Sequence, residues 1–74
     1  MKKIKEAVEI LRLNVEAYPE SANVYDSLGE AYLNAGDKPH AIENYEKSLK
    51  LDPNNAGAVE KLKGLKAQGP NGTG

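Results

Sequence analysis

One histidine, eleven carboxylates, four tyrosines and no cysteine are the side chains through which this chain could do chemistry. His40 has neither a cysteine nor a second histidine to share a metal with. It reads as a surface residue on the first turn of a helix rather than as a ligand or a base. Asp26 and Glu30, and also Glu43 and Lys47, stand four residues apart. Paired carboxylates can run acid–base chemistry inside an enclosed pocket, but nothing in the surrounding sequence builds one, and a solvated helix face accounts for both pairs. Ser21, Ser27 and Ser48 have no base nearby, so capping and small-residue packing explain them better than nucleophilic attack. Four tyrosines at regular intervals are core fillers before they are a platform for stacked bases. The glycines, Gly29, Gly36, Gly57, Gly64 and Gly69 among them, are too scattered to cradle a phosphate. The residues therefore predict no enzyme, no bound metal and no cofactor.

The elements that carry these side chains follow from composition and punctuation. At 74 residues the chain holds one small domain. Nearly half of it is Ala, Glu, Lys, Leu or Arg, a composition that favours helix over sheet. Ten basic residues against eleven acidic ones leave a net charge of −1, without the cationic excess that nucleic acid or an anionic membrane requires. Apolar runs of two or three residues are far below the roughly 20 needed to span a bilayer, and no signal-peptide core follows Met1. The expectation is a soluble, cytoplasmic, all-α module.

Helix-stop signals at Pro19, Gly36-Asp37 and Pro53 leave room for four helices. The spacing predicts them at about residues 2–17, 22–35, 38–51 and 56–68, with 69–74 a flexible Gly-rich tail or vector-derived linker. Ile4, Ala7, Val8, Leu11 and Val15 draw one apolar stripe on the first helix. Val24, Tyr25, Leu28, Ala31, Tyr32 and Ala35 draw one on the second, with Ser21 as N-cap. The third helix is capped by Asp37, tolerates Pro39 in its first turn, and carries Ala41, Ile42, Tyr45, Ser48 and Leu49. Ala58, Val59, Leu62 and Leu65 mark the fourth, whose other side is rich in lysine. Gaps of a few residues make successive helices antiparallel neighbours.

Offsetting the chain by 34 residues lays Ala7 on Ala41, Val8 on Ile42, Glu9 on Glu43, Leu11 on Tyr45, Val15 on Leu49 and Pro19 on Pro53. Further along, Ala22 meets Ala56 and Leu28 meets Leu62. A 34-residue helix-turn-helix period is that of tetratricopeptide repeats, whose pattern is W-x2-L-G-x2-Y, A-x3-F, P. Residues 22–55 carry Tyr25-x2-Leu28-Gly29-x2-Tyr32, then Ala41-x3-Tyr45, then Pro53. The segment resembles one full repeat of that family, with Tyr in place of Trp and of Phe. The first helix is similar to the second half of a repeat and the fourth to the first half. The resemblance thus implies an antiparallel helix-turn-helix solenoid fragment of half, full and half repeats. In the fourth helix Lys63 replaces the tight-packing glycine and Lys66 the tyrosine, as in the solvating cap of such arrays. The wording from Asn23 to Tyr32 also resembles short repeat tails at the C-termini of bacterial serine hydrolases, which implies an excised or truncated appendage.

The family's first helices line a concave surface that holds segments of partner proteins. On its pattern the groove residues would be Asn23, Asp26, Ser27, Glu30, Leu33 and Asn34, joined by Glu60 and Lys61. Asp26 and Glu30 oppose the carboxylate recognition that some members use, so the expected partner is a neutral or basic protein or peptide, not an acidic tail. A half repeat at the start leaves Ala7, Ile10 and Leu11 facing a missing helix. The expectation there is self-association into a two-fold homodimer, which makes a structural assembly element the alternative to a peptide reader.

Overall fold

A computed structural model describes residues 2–67, with side chains from Lys5 onward. Four α-helices follow one another: α1 (Lys2–Ala17), α2 (Ala22–Asn34), α3 (Lys38–Leu51) and α4 (Ala56–Ala67). Each packs on the next, α1 on α2, α2 on α3 and α3 on α4. The all-α, helix-turn-helix architecture is the expected one. Ile4 and the tail at 69–74 lie outside the described side chains and residues.

Capping side chains set the boundaries. Ser21 accepts from the Val24 amide at 3.4 Å and opens α2. At the other end Gly36 takes φ +81°, a left-handed conformation that glycine adopts without steric cost. That turn lets the Gly36 amide reach the Leu33 carbonyl at 3.0 Å and the Asp37 amide reach the Tyr32 carbonyl at 2.9 Å. The helix therefore closes at Asn34 with Ala35 as its cap, one residue short of the sequence expectation. Asp37 then accepts from the His40 amide at 3.2 Å and starts α3, with Pro39 in the first turn.

The core lies between α2, α3 and α4. Ala41, Tyr45 and Ala58 are fully buried and cluster with Leu62 and Leu65, while Tyr32, Leu33, Ile42 and Leu49 pack around them. Tyr25, Leu28 and Ala31 complete the buried side of α2. Gly29 lets the helices approach closely, as expected. A Cβ there would stand 3.1 Å from three atoms of the Tyr45 ring.

Three expectations are corrected. Ala35 is exposed because α2 has ended before it. Val59 is 36% exposed, because the side of α4 on which it sits points away from α3. Leu11, expected to face the missing helix with Ala7 and Ile10, is instead half-buried, as are Val8 and Val15 on the same helix. One core position was not foreseen. Asn44 is buried, its side-chain amide donating to the His40 carbonyl at 2.8 Å inside α3.

Candidate functional site

The groove begins with the turns that set α2 beside α4. Asn55 does this locally: its Oδ1 accepts from the Ala58 amide at 3.4 Å and caps α4. Its Nδ2 reaches back 3.1 Å to Asp26 on α2 and 3.0 Å to the Ser48 hydroxyl on α3. Ser48, fully buried, donates in turn to the Ala22 carbonyl at 2.8 Å. This polar chain pins the start of α2 to the turn before α4, so the two helices share one face. Buried hydrogen-bonded groups of this kind are costly to break singly.

On that face the structure brings Leu33, Glu60 and Lys61 together around a cavity of about 310 Å³. Asn23, Ser27, Glu30 and Asn34 are exposed on α2, whereas Asp26 is half-buried by its bond to Asn55. Asp26 is thus a structural tie between α2 and the turn before α4. Sequence reasoning missed the cavity's remaining lining: Lys38, Gly64 and Leu65. Lys38 belongs to α3, and only the tight turn at Gly36 carries it to the groove end. A positive charge therefore stands at the end of a surface that the sequence of α2 alone makes acidic. Gly64 has no atom within 4 Å of where a Cβ would lie, which makes it part of the open wall.

Tyr45 lies in the core behind α2: its ring, carried by α3, packs against Gly29 of α2 and clusters with Ala58 and Leu62 of α4. Burial, with the charges of Asp26 and Glu30 behind it, pushes the phenol up to about 12. The hydroxyl has no hydrogen-bond partner among the described residues.

Outside the groove the sequence-flagged residues fall into structural roles. His40 Nδ1 sits 2.7 Å from Asp37 and its ring stacks on Tyr32 at 4.9 Å. Lys47, on the helix face with Glu43, lies 5.6 Å over the Tyr25 ring. Lys66 reaches across to Glu46 on α3 at 2.9 Å, with both side chains largely in water, where such a pair contributes little. Ala7 and Ile10 are exposed and Leu11 is half-buried. No group of three His, Cys, Asp or Glu side chains among the described residues is placed to hold a metal. No helix among them is long and apolar enough to cross a membrane.

Comparison with known proteins agrees with this geometry. Residues 22–55 match the model of the tetratricopeptide repeat. The chain is 38% identical over 50 residues to the cellulose synthase operon protein C of Escherichia coli, a match covering 68% of this chain and 4% of that protein. It is 37% identical over 62 residues to the heat shock protein STI1 of Saccharomyces cerevisiae, covering 84% of this chain and 10% of the relative. With the Hsp70-Hsp90 organizing protein of Triticum aestivum it shares 49% identity over 43 residues, 58% of this chain and 7% of that one. The chain therefore spans a small fraction of the curated relatives it matches.

Proposed function

The chain belongs to the tetratricopeptide repeat family, and from that membership we propose that it is a non-catalytic protein-interaction module holding a peptide segment of a partner protein along the α2–α4 face. The carrying observation is the cavity in which Leu33 of the full repeat meets Glu60 and Lys61 of the following half repeat. An apolar floor with charged rims is what a peptide needs, burying a side chain while its polar groups stay satisfied at the edge. The wheat relative's name, Hsp70-Hsp90 organizing protein, is in keeping with protein partners.

Asp26, Glu30 and Glu60 favour neutral or basic segments, and opposing charges at an exposed rim speed association more than they tighten it. A peptide array probed with the full chain tests the proposal. Neutral and basic sequences should bind, more weakly as salt rises, and Leu33→Asp should abolish binding. Acidic sequences binding best, or no peptide binding at all, would overturn it.

A second reading rests on a different surface. Ile10 is 59% exposed beside exposed Ala7 and half-buried Leu11, a stripe at helical spacing. Covering roughly 400 Å² of apolar surface there would contribute about 10 kcal/mol per chain before the cost of association. Self-association through α1 would make this an assembly element. Its solution mass should then rise with concentration across the micromolar range, and Leu11→Glu should return it to monomer. A constant monomeric mass excludes that reading.

A further inference from the structure

Side chains of α3 join it to α2 at particular residues. His40 stacks on the Tyr32 ring at 4.9 Å, Lys47 lies 5.6 Å over the Tyr25 ring, the Tyr45 ring packs against Gly29, and the Ser48 hydroxyl donates to the Ala22 carbonyl at 2.8 Å. The 34-residue offset gives every one of these residues an equivalent on α1 or α4. His40 and Tyr32 correspond to Glu6 and Lys66, which are opposite charges. Lys47 and Tyr25 correspond to Leu13 and Val59, both exposed and apolar. Asn44, which lines a cavity beside Leu28 and Tyr32, corresponds to Ile10, which is 59% exposed. Tyr45 and Gly29 correspond to Leu11 and Lys63, and Ser48 and Ala22 to Asn14 and Ala56. Within one chain the two helices have different neighbours, α1 packing chiefly on α2 and α4 on α3.

Resting on the self-association reading, we propose that the exposed face of α1 is covered by α4 of a second copy, packed head to tail as α2 packs on α3, so that two copies complete one repeat between them. Leu13 then meets Val59, and Ile10 meets Leu62 and the stem of Lys66, which removes the apolar side chains of both faces from water together. Lys66, whose bond to Glu46 lies largely in water, has donors to spare for Glu6. An exposed pair of that kind sets orientation and register more than affinity. Lys63 stands in the slot of Gly29 and holds the helices farther apart than α2 and α3. The α1 side fits the wider gap: Leu11 is shorter than the Tyr45 ring it replaces, and Asn14 reaches one bond farther than Ser48 toward its carbonyl. A two-fold contact of α1 with itself would give Val59 and Lys66 no part. Below the micromolar range the chain stands alone and the face stays open. Above it the contact is heterologous, so copies add beyond two and their α2–α4 faces continue one another.

The absence of cysteine makes the contact addressable by disulfide capture. Leu13→Cys and Val59→Cys, both at exposed positions, are made in separate full-length chains and mixed in equal amounts in a glutathione redox buffer at high micromolar concentration. Mass spectrometry should show the mixed disulfide exceeding each homodimer at least fivefold, beyond the twofold excess of random pairing. The double variant should give a ladder of linked chains on a non-reducing gel. In sedimentation, Lys66→Glu should raise the concentration of half-assembly at least threefold, and adding Glu6→Lys to the same chain should bring it back. A dominant Leu13→Cys homodimer, a random disulfide distribution or an unchanged Lys66→Glu overturns the head-to-tail contact, while a mass that still rises with concentration leaves self-association through α1 standing. A constant monomeric mass of the unaltered chain removes both.

Discussion

Helices α1 and α3 occupy the same slot of the repeat, 34 residues apart, and their fates differ. Ala41, Tyr45 and Ser48 are fully buried; their equivalents Ala7 and Asn14 are exposed and Leu11 is half-covered. The amino acids alone do not produce this contrast, since Ala7 and Ala41 are identical and Leu11 is as apolar as Tyr45. α3 packs against both α2 and α4, whereas α1 packs chiefly against α2. In a solenoid, burial is a property of the neighbours, and each unit depends on the next for its second face.

Large-to-small substitution tests that contrast most severely. Tyr45→Ala should cost about 3–5 kcal/mol, enough to unfold a domain of this size, while Leu11→Ala should cost about 1–2 kcal/mol. Chemical denaturation of the two variants gives the ratio, and equal losses would mean that α1 is covered in solution.

Alkaline titration probes the same tyrosine without removing it. Tyr45 holds its proton to about pH 12 in the fold against about 10 in the unfolded chain. The unfolded state thus loses its proton first. The associated stability is complete below pH 10 and disappears as pH rises from 10 to 12, a change on the order of 2–3 kcal/mol. Tyr45→Phe should flatten that limb of the stability curve.

The two groove helices differ in the same way at their glycines. Gly29→Leu drives a side chain into a ring already 3.1 Å from the Cβ position and should cost about 1–3 kcal/mol. Gly64→Ala meets open space and should gain about 0.5–1 kcal/mol from helix propensity. Thermal melts that moved both in one direction would contradict the packing.

The smallest effect is the sharpest comparison. Ser48→Ala strands the Ala22 carbonyl and one donor of Asn55 and should cost about 1–2 kcal/mol. Asn14→Ala, at the equivalent exposed position, should fall within about 0.5 kcal/mol of no change. A large loss at Asn14 would show that something covers α1 in solution.

The fold was legible because each of its signals is local. Pro53, Gly36 and the caps Ser21 and Asp37 act within a few residues, and the Leu28-Gly29, Tyr32, Ala41 and Tyr45 spacing is a rule about neighbouring turns. The groove was half legible. Leu33, Glu60 and Lys61 follow from repeat register, but Lys38, Gly64 and Leu65 enter through the angle between α2 and α4, which no residue spacing encodes. Asp26 carried no sign in the sequence that it would be held by Asn55, a contact 29 residues away.

By itself the sequence determined four antiparallel helices, their period and which faces are apolar, because backbone hydrogen bonding and side-chain periodicity are short-range. Only the tertiary structure decided that the Tyr45 ring would pack against Gly29 and leave its hydroxyl without a hydrogen-bond partner among the described residues. That placement depends on the distance and angle at which three helices pack, a balance of shape and burial that the chain reaches only when all three are assembled.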